Sequence, residues 1–102
     1  MSVALEYDKD GYSPVATQNF FRDYWKPGIE ALKLIWLPTI EAGFSFKKED
    51  IPELKEELKK FLEWTKANQE DEIFTFIEER INLLNEHFEK IDWDLNQTIF
   101  IG

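Results

Sequence analysis

The stretch DEIFTFIEERINLLNEHFEKIDWD, residues 71–94, carries the clearest periodicity in the chain. Ile73, Ile77, Ile81, Leu84, Phe88 and Ile91 recur at spacings of four, four, three, four and three. On a helix turning about 100° per residue they fall within about 80° of arc, one apolar stripe. The opposite face carries Thr75, Glu79, Asn82 and Glu86, with Glu72 and Glu89 beside them. One side of this long helix must be buried and the other is acidic and wet. Residues 67–102 hold nine carboxylates against two basic residues, Arg80 and Lys90, a net of −7. The whole chain is −9, so most of its charge imbalance sits in its last third.

Working outward, the composition bounds the class. A chain of 102 residues supports a single domain, 1–102, with one core. Nine Phe, four Trp and three Tyr are ample for a packed interior, which argues against disorder. There is no cysteine, so disulfides, thiolate metal sites and cysteine nucleophiles are excluded. Residues 1–6 show no basic region and no apolar run of signal-peptide length. No apolar stretch approaches the roughly 20 residues that span a bilayer. A cytoplasmic chain is expected. Its negative charge repels nucleic acid and anionic lipid and favours basic protein partners.

Toward the N-terminus, residues 3–7 alternate Val3, Leu5, Tyr7 against Ala4, Glu6, the period of a half-buried strand. Asp8-Lys9-Asp10-Gly11 turns the chain. An EF-hand loop wants glycine sixth and glutamate twelfth, whereas here glycine is fourth and Asn19 is twelfth, so calcium is not expected. Residues 12–16 are open between a loop and a further strand. Thr17 caps a helix over 17–25, with Phe20, Phe21 and Tyr24 on its buried side, and Lys26-Pro27-Gly28 breaks it. Residues 29–35 resume as helix, with Ile29, Leu32 and Ile35 or Trp36 inward. Leu37-Pro38 stops it, because the residue before proline is pushed out of the α region. Residues 42–46 read as a strand with Phe44 and Phe46 facing one way.

Asp50-Ile51-Pro52-Glu53 starts another helix with a capping-box arrangement, running to about Ala67. Ile51, Leu54, Leu58, Phe61, Leu62 and Thr65 form its inner side. Glu53, Lys55, Glu56, Glu57, Lys59, Lys60 and Glu63 lie outside. After the long helix, Thr98-Ile99-Phe100-Ile101 is a strand apolar on both sides, expected to be buried on both faces or paired inside a sheet. The fold class is therefore α+β. A sheet of three strands (3–7, 42–46 and 97–101), or four if 12–16 contributes one, is covered on one face by three or four helices.

Enzyme chemistry is poorly supplied. The single histidine, His87, lies on the flank of the apolar stripe and reads as structural. There is no HExxH pattern, and the four glycines form no phosphate loop. Ser2, Ser13 and Ser45 lack an elbow context. Carboxylate pairs such as Glu53/Glu57 and Glu79/Glu86 need a pocket that raises one pKa before they do acid–base work, and on exposed helix faces they are solvated. No metal, cofactor or catalytic residue is expected. Trp93, between Asp92 and Asp94 just past the helix end, either folds back as a plug or stands exposed as an interface anchor. Tyr12, Trp25 and Trp36, near breaks in the chain, are weaker anchors of the same kind. The candidate partner-binding residues are Glu72, Glu79, Glu86, Glu89, Asp92, Trp93 and Asp94. The two acids at the helix C-terminus face the negative end of its dipole, which points to a reason other than stability.

The layout as a whole also carries a resemblance. A short strand leads to a Phe-rich helix, then Ile35-Trp36-Leu37-Pro38, Gly43-Phe44-Ser45-Phe46, the acidic-capped helix from Glu49-Asp50-Ile51-Pro52-Glu53, the long helix, and a closing strand, Gln97-Thr98-Ile99-Phe100-Ile101. In order and texture this resembles small immunity proteins of bacterial polymorphic-toxin systems. The resemblance implies a non-enzymatic cytoplasmic protein that binds and blocks a cognate toxin domain, often a basic nuclease. The competing reading is a structural interaction module, such as a homodimer whose exposed aromatics pair with themselves.

Overall fold

The computed structural model describes residues 2–7 and 11–102. The turn expected at Asp8-Lys9-Asp10 lies outside the described residues. The described residues form four strands, β1 (Ser2–Tyr7), β2 (Gly11–Thr17), β3 (Phe44–Lys47) and β4 (Thr98–Ile101). Four helices accompany them: α1 over 18–32, α2 (Leu37–Ala42), α3 (Ile51–Asn68) and α4 (Asp71–Lys90). The sheet is antiparallel throughout, in the order β2-β1-β4-β3. The last strand of the chain is thus central, between the first strand and β3. No helix among the described residues is long and apolar enough to cross a membrane.

Residues 12–16 belong to β2, an edge strand. Alternation is blurred there because Val15 is an extra residue between the pairs Val3↔Ala16 and Ala4↔Pro14. The bulge turns Val15 and Ala16 both inward. Pro14 is tolerated because an edge strand need not donate on its outer side.

The inner sheet face carries Val3, Leu5, Phe46, Ile99 and Ile101, all buried against the helices. The outer face is open. Glu6, paired with Tyr12 on one side and Phe100 on the other, lies there, and Ser45 pairs with Phe100. Tyr12 is 53% exposed and Phe100 42%. Of the two expectations for β4, pairing inside the sheet holds, since β1 and β3 flank it, and burial on both faces does not, because helices cover one face only. Phe100 instead lies over glycine, for a Cβ on Gly43 or Gly102 would come within 2.7 Å of its ring.

Pro27 does not break α1. The helix changes register just before it, with Phe21–Trp25 forming a π-helical turn in which the Lys26 amide bonds to the Phe21 carbonyl. Proline brings no N–H of its own and crowds the preceding turn, and a π turn is one way a helix absorbs that mismatch. Gly28 then lets α1 approach α3 closely, since a Cβ there would meet the rings of Trp64 at 2.7 Å and Phe61 at 2.8 Å. Trp25, a weaker anchor candidate by sequence, is instead fully buried, stacked between Phe21 and Phe61. The helix ends at Lys33, in the left-handed conformation at φ 54°. Leu37-Pro38 starts α2 rather than stopping a helix, because proline fits the first turn, where an N–H is not needed.

The segment between α1 and α2 is held by a side chain that helical periodicity places outside. Glu57 of α3 is buried. Its carboxylate accepts from the backbone N–H groups of Ile35 at 2.9 Å, Trp36 at 3.0 Å and Leu37 at 3.0 Å. One turn earlier, Glu53 accepts from the Trp36 indole at 2.8 Å. The backbone pulled in toward Glu57 leaves the Ile35 side chain 69% exposed, so of the two inward candidates it is Trp36 that packs against the core. The start of α3 falls where the sequence puts it, but Asp50 caps differently. Its carboxylate accepts from the Lys47 N–H at 2.9 Å, across the short 3₁₀ turn Lys48–Asp50.

Ile51, Leu54, Leu58 and Phe61 of α3 and Ile77, Ile81, Leu84 and Phe88 of α4 join the strands in one core, with Leu62 packed at its margin.

Candidate functional site

The outward face of α4 is acidic along its length. Glu72, Glu79 and Glu86 are exposed, as are Glu89, Asp92 and Asp94. The four on the helix share one side because the stripe from Ile77 to Phe88 commits the opposite side to the core, and Asp92 and Asp94 follow in the turn beyond it. The members differ in their partners. Glu89 receives the Lys55 ammonium from α3 at 2.8 Å. That hydrogen bond, then the lysine charge, holds the Glu89 carboxyl below its ordinary value. Glu72, Glu79 and Glu86 form no ion pair among the described residues.

Beyond the helix, Asp92 has a local task. Its side chain accepts from the Asp94 N–H at 2.9 Å, and its carbonyl accepts from the Asn96 N–H at 2.9 Å. It therefore shapes the turn that leads into β4, which gives Asp92 a structural reason to stand at the helix C-terminus. Trp93 is half-buried and packs against the core, closing the end of the helix while part of its ring stays in solvent. His87 is used structurally: its Nδ1 lies 2.6 Å from the Tyr7 hydroxyl, tying α4 to β1.

Two apolar side chains interrupt the acidic face, Phe76 at 37% exposure and Leu83 at 38%. With Glu72, Glu79, Glu86 and Lys90 they follow alternating spacings of four and three along the helix. Phe76 touches α1, its ring centroid 4.9 Å from that of Phe20, which is 4.7 Å from Tyr24. The spacing of seven between Phe76 and Leu83 is visible in the sequence on an otherwise polar face. The approach of Phe20 and Tyr24 is not, because it depends on how α1 is carried across the sheet.

A concavity of about 220 Å³ lies between α1 and α2, lined by Phe21, Ile29, Leu34 and Pro38. Lys26 and Glu41, paired at 3.0 Å, stand at its rim. Among the described residues, no group of three His, Asp or Glu side chains is placed to hold a metal ion. No protein-family model, no curated protein and no solved structure matches the chain.

Proposed function

We propose that the chain is a non-enzymatic cytoplasmic binding protein that neutralises a cognate bacterial toxin domain, such as a basic nuclease, by occluding its active or substrate-binding surface. One observation carries the reading: the longest helix among the described residues turns to solvent an exposed face with three carboxylates, Glu72, Glu79 and Glu86, that form no ion pair among those residues. Such a face complements the Lys and Arg side chains with which a nuclease holds phosphates. Complementary fields steer encounter and raise association rates to ~10⁸–10⁹ M⁻¹s⁻¹ at low salt. Glu89, already neutralised by Lys55, adds less to this field than its position suggests. Asp94 extends it, and the exposed part of Trp93 offers an apolar contact at its end.

The test is co-expression. A toxin-domain gene beside the gene for this chain is expected to arrest growth when expressed alone and to be tolerated with this chain present. Undiminished killing by every neighbouring toxin domain would remove the proposal. A second reading, a homodimer, is favoured by the open sheet face with Tyr12 and Phe100 exposed. Sedimentation of the pure chain separates the two, since a concentration-independent monomer leaves the dimer without support.

A further inference from the structure

Phe20, Tyr24 and Phe76 form an aromatic cluster on the surface where α1 meets the first half of α4. The outer side of Phe76 opens on a shallow depression lined by Asp71, Glu72, Thr75, Phe76 and Glu79. Its three carboxylates form no ion pair among the described residues. The nearest cation on the same helix, Arg80, holds its guanidinium 4.8 Å from the Phe76 centroid. The ring is therefore already a platform for a guanidinium, and the carboxylates beside it still lack counter-charges.

We propose that this depression seats an arginine side chain of a basic protein partner, with Phe76 as its platform and Glu72 and Glu79 as its charge partners. Arginine fits better than lysine, because its planar group stacks on a ring while its forked donors engage carboxylates. Leu83, seven residues on, lies about 10 Å along the helix axis at ~1.5 Å per residue. It supplies an apolar contact for the same partner segment, with Glu79 and Glu86 on either side. The inference rests on the basic-partner reading above and names where on the acidic face the partner is held.

The probe is tetra-arginine, with tetralysine as the equal-charge control, titrated into the isotopically labelled full chain and followed by NMR. Saturable shifts are expected at the Thr75 amide and the rings of Phe20, Tyr24 and Phe76. Tetra-arginine should bind several-fold more tightly than tetralysine. Phe76→Leu, which keeps the apolar volume and removes the π face, should weaken tetra-arginine by ~3-fold or more, in line with one lost cation–π contact. Arg80→Gln, which frees the ring and removes a repelling charge, should tighten it. Equal binding of the two peptides, with shifts spread over Glu86, Asp92 and Asp94 and unmoved by Phe76→Leu, would overturn the assignment. The two proposals fail separately. A titration mapping to Phe76 with no toxin neutralised leaves the seat standing. Neutralisation unaffected by Phe76→Leu, with no localised titration, removes the seat and keeps the toxin reading.

Discussion

Removing the Glu57 carboxylate is the sharpest test of how the helical layer is held. In Glu57→Ala, three consecutive backbone donors, those of Ile35, Trp36 and Leu37, lose their acceptor. They do not lose equally. Ile35 and Trp36 lie in a segment open to solvent, where water replaces the carboxylate, so each loss is a net ~0.5–1.5 kcal/mol. Leu37 is fully buried, and stranding its N–H costs about 1–3 kcal/mol. The carboxylate's own desolvation is relieved, which offsets part of this. The sum is about 3 kcal/mol, or roughly 12–24 °C in melting temperature for a chain near 100 residues. Glu57→Gln keeps one acceptor oxygen and should cost about half as much. Urea denaturation gives the stability change, and hydrogen exchange gives the local one: amides 35–37 should exchange much faster in the variant. Glu56→Ala, one position away and exposed, is the control and should stay within ~0.5 kcal/mol of wild type. A Glu57→Ala chain as stable as that control, with unchanged exchange at 35–37, would refute the reasoning.

Three further outcomes are expected. Leu58→Ala and Leu84→Ala each empty part of the α3–α4 core and should each cost roughly 2–5 kcal/mol in a denaturant melt, and a cost under ~1 kcal/mol would place these side chains elsewhere. Asp50→Ala removes the acceptor for the Lys47 N–H and should cost about 1 kcal/mol, as lost caps do, whereas an unchanged midpoint would leave the cap without energetic weight. Lys55→Ala should let the Glu89 carboxyl rise toward its ordinary pKa, read by NMR titration. Because the folded-state pKa of Glu89 is the depressed one, the pair's small contribution is present above the unfolded-state pKa and is lost as pH falls through the folded-state value. Loss of Lys55 should therefore flatten the acid limb of the stability profile, and an unmoved Glu89 titration would show that the pair does not persist in solution.

The two long helices were legible because each repeats its apolar spacing over several turns, which local chemistry alone enforces. Their inner faces contain the side chains that the spacing selects, from Leu54 to Phe88. What the sequence hid depends on contacts distant along the chain. Glu57 looks like one more exposed acid because its partners are backbone amides twenty or more residues earlier, which no side-chain pattern announces. Pro27 reads as a breaker because a register shift to a π turn has no sequence signature of its own. The β2 strand is obscured by a bulge and a proline, each of which an edge position tolerates. Phe100 looks like core because alternation is lost when both faces of a strand are apolar. Nothing local says that only one face will be covered. Of the candidate surface, the acidic side of α4 follows from its apolar stripe. The aromatic cluster at Phe76 does not, since it needs the arrival of α1.

The proposed function has the exposed carboxylates of α4 steering a basic partner. That steering is read from the association rate constant for a toxin domain that the chain neutralises on co-expression, measured across ionic strength for wild type and for Glu79→Lys with Glu86→Lys. The wild-type rate should fall steeply as salt rises. The double variant should associate ~10-fold or more slowly at low salt, with a flattened salt dependence and an unchanged melting temperature. Identical rates and identical salt slopes for the two proteins would contradict the claim and place the interface on another face.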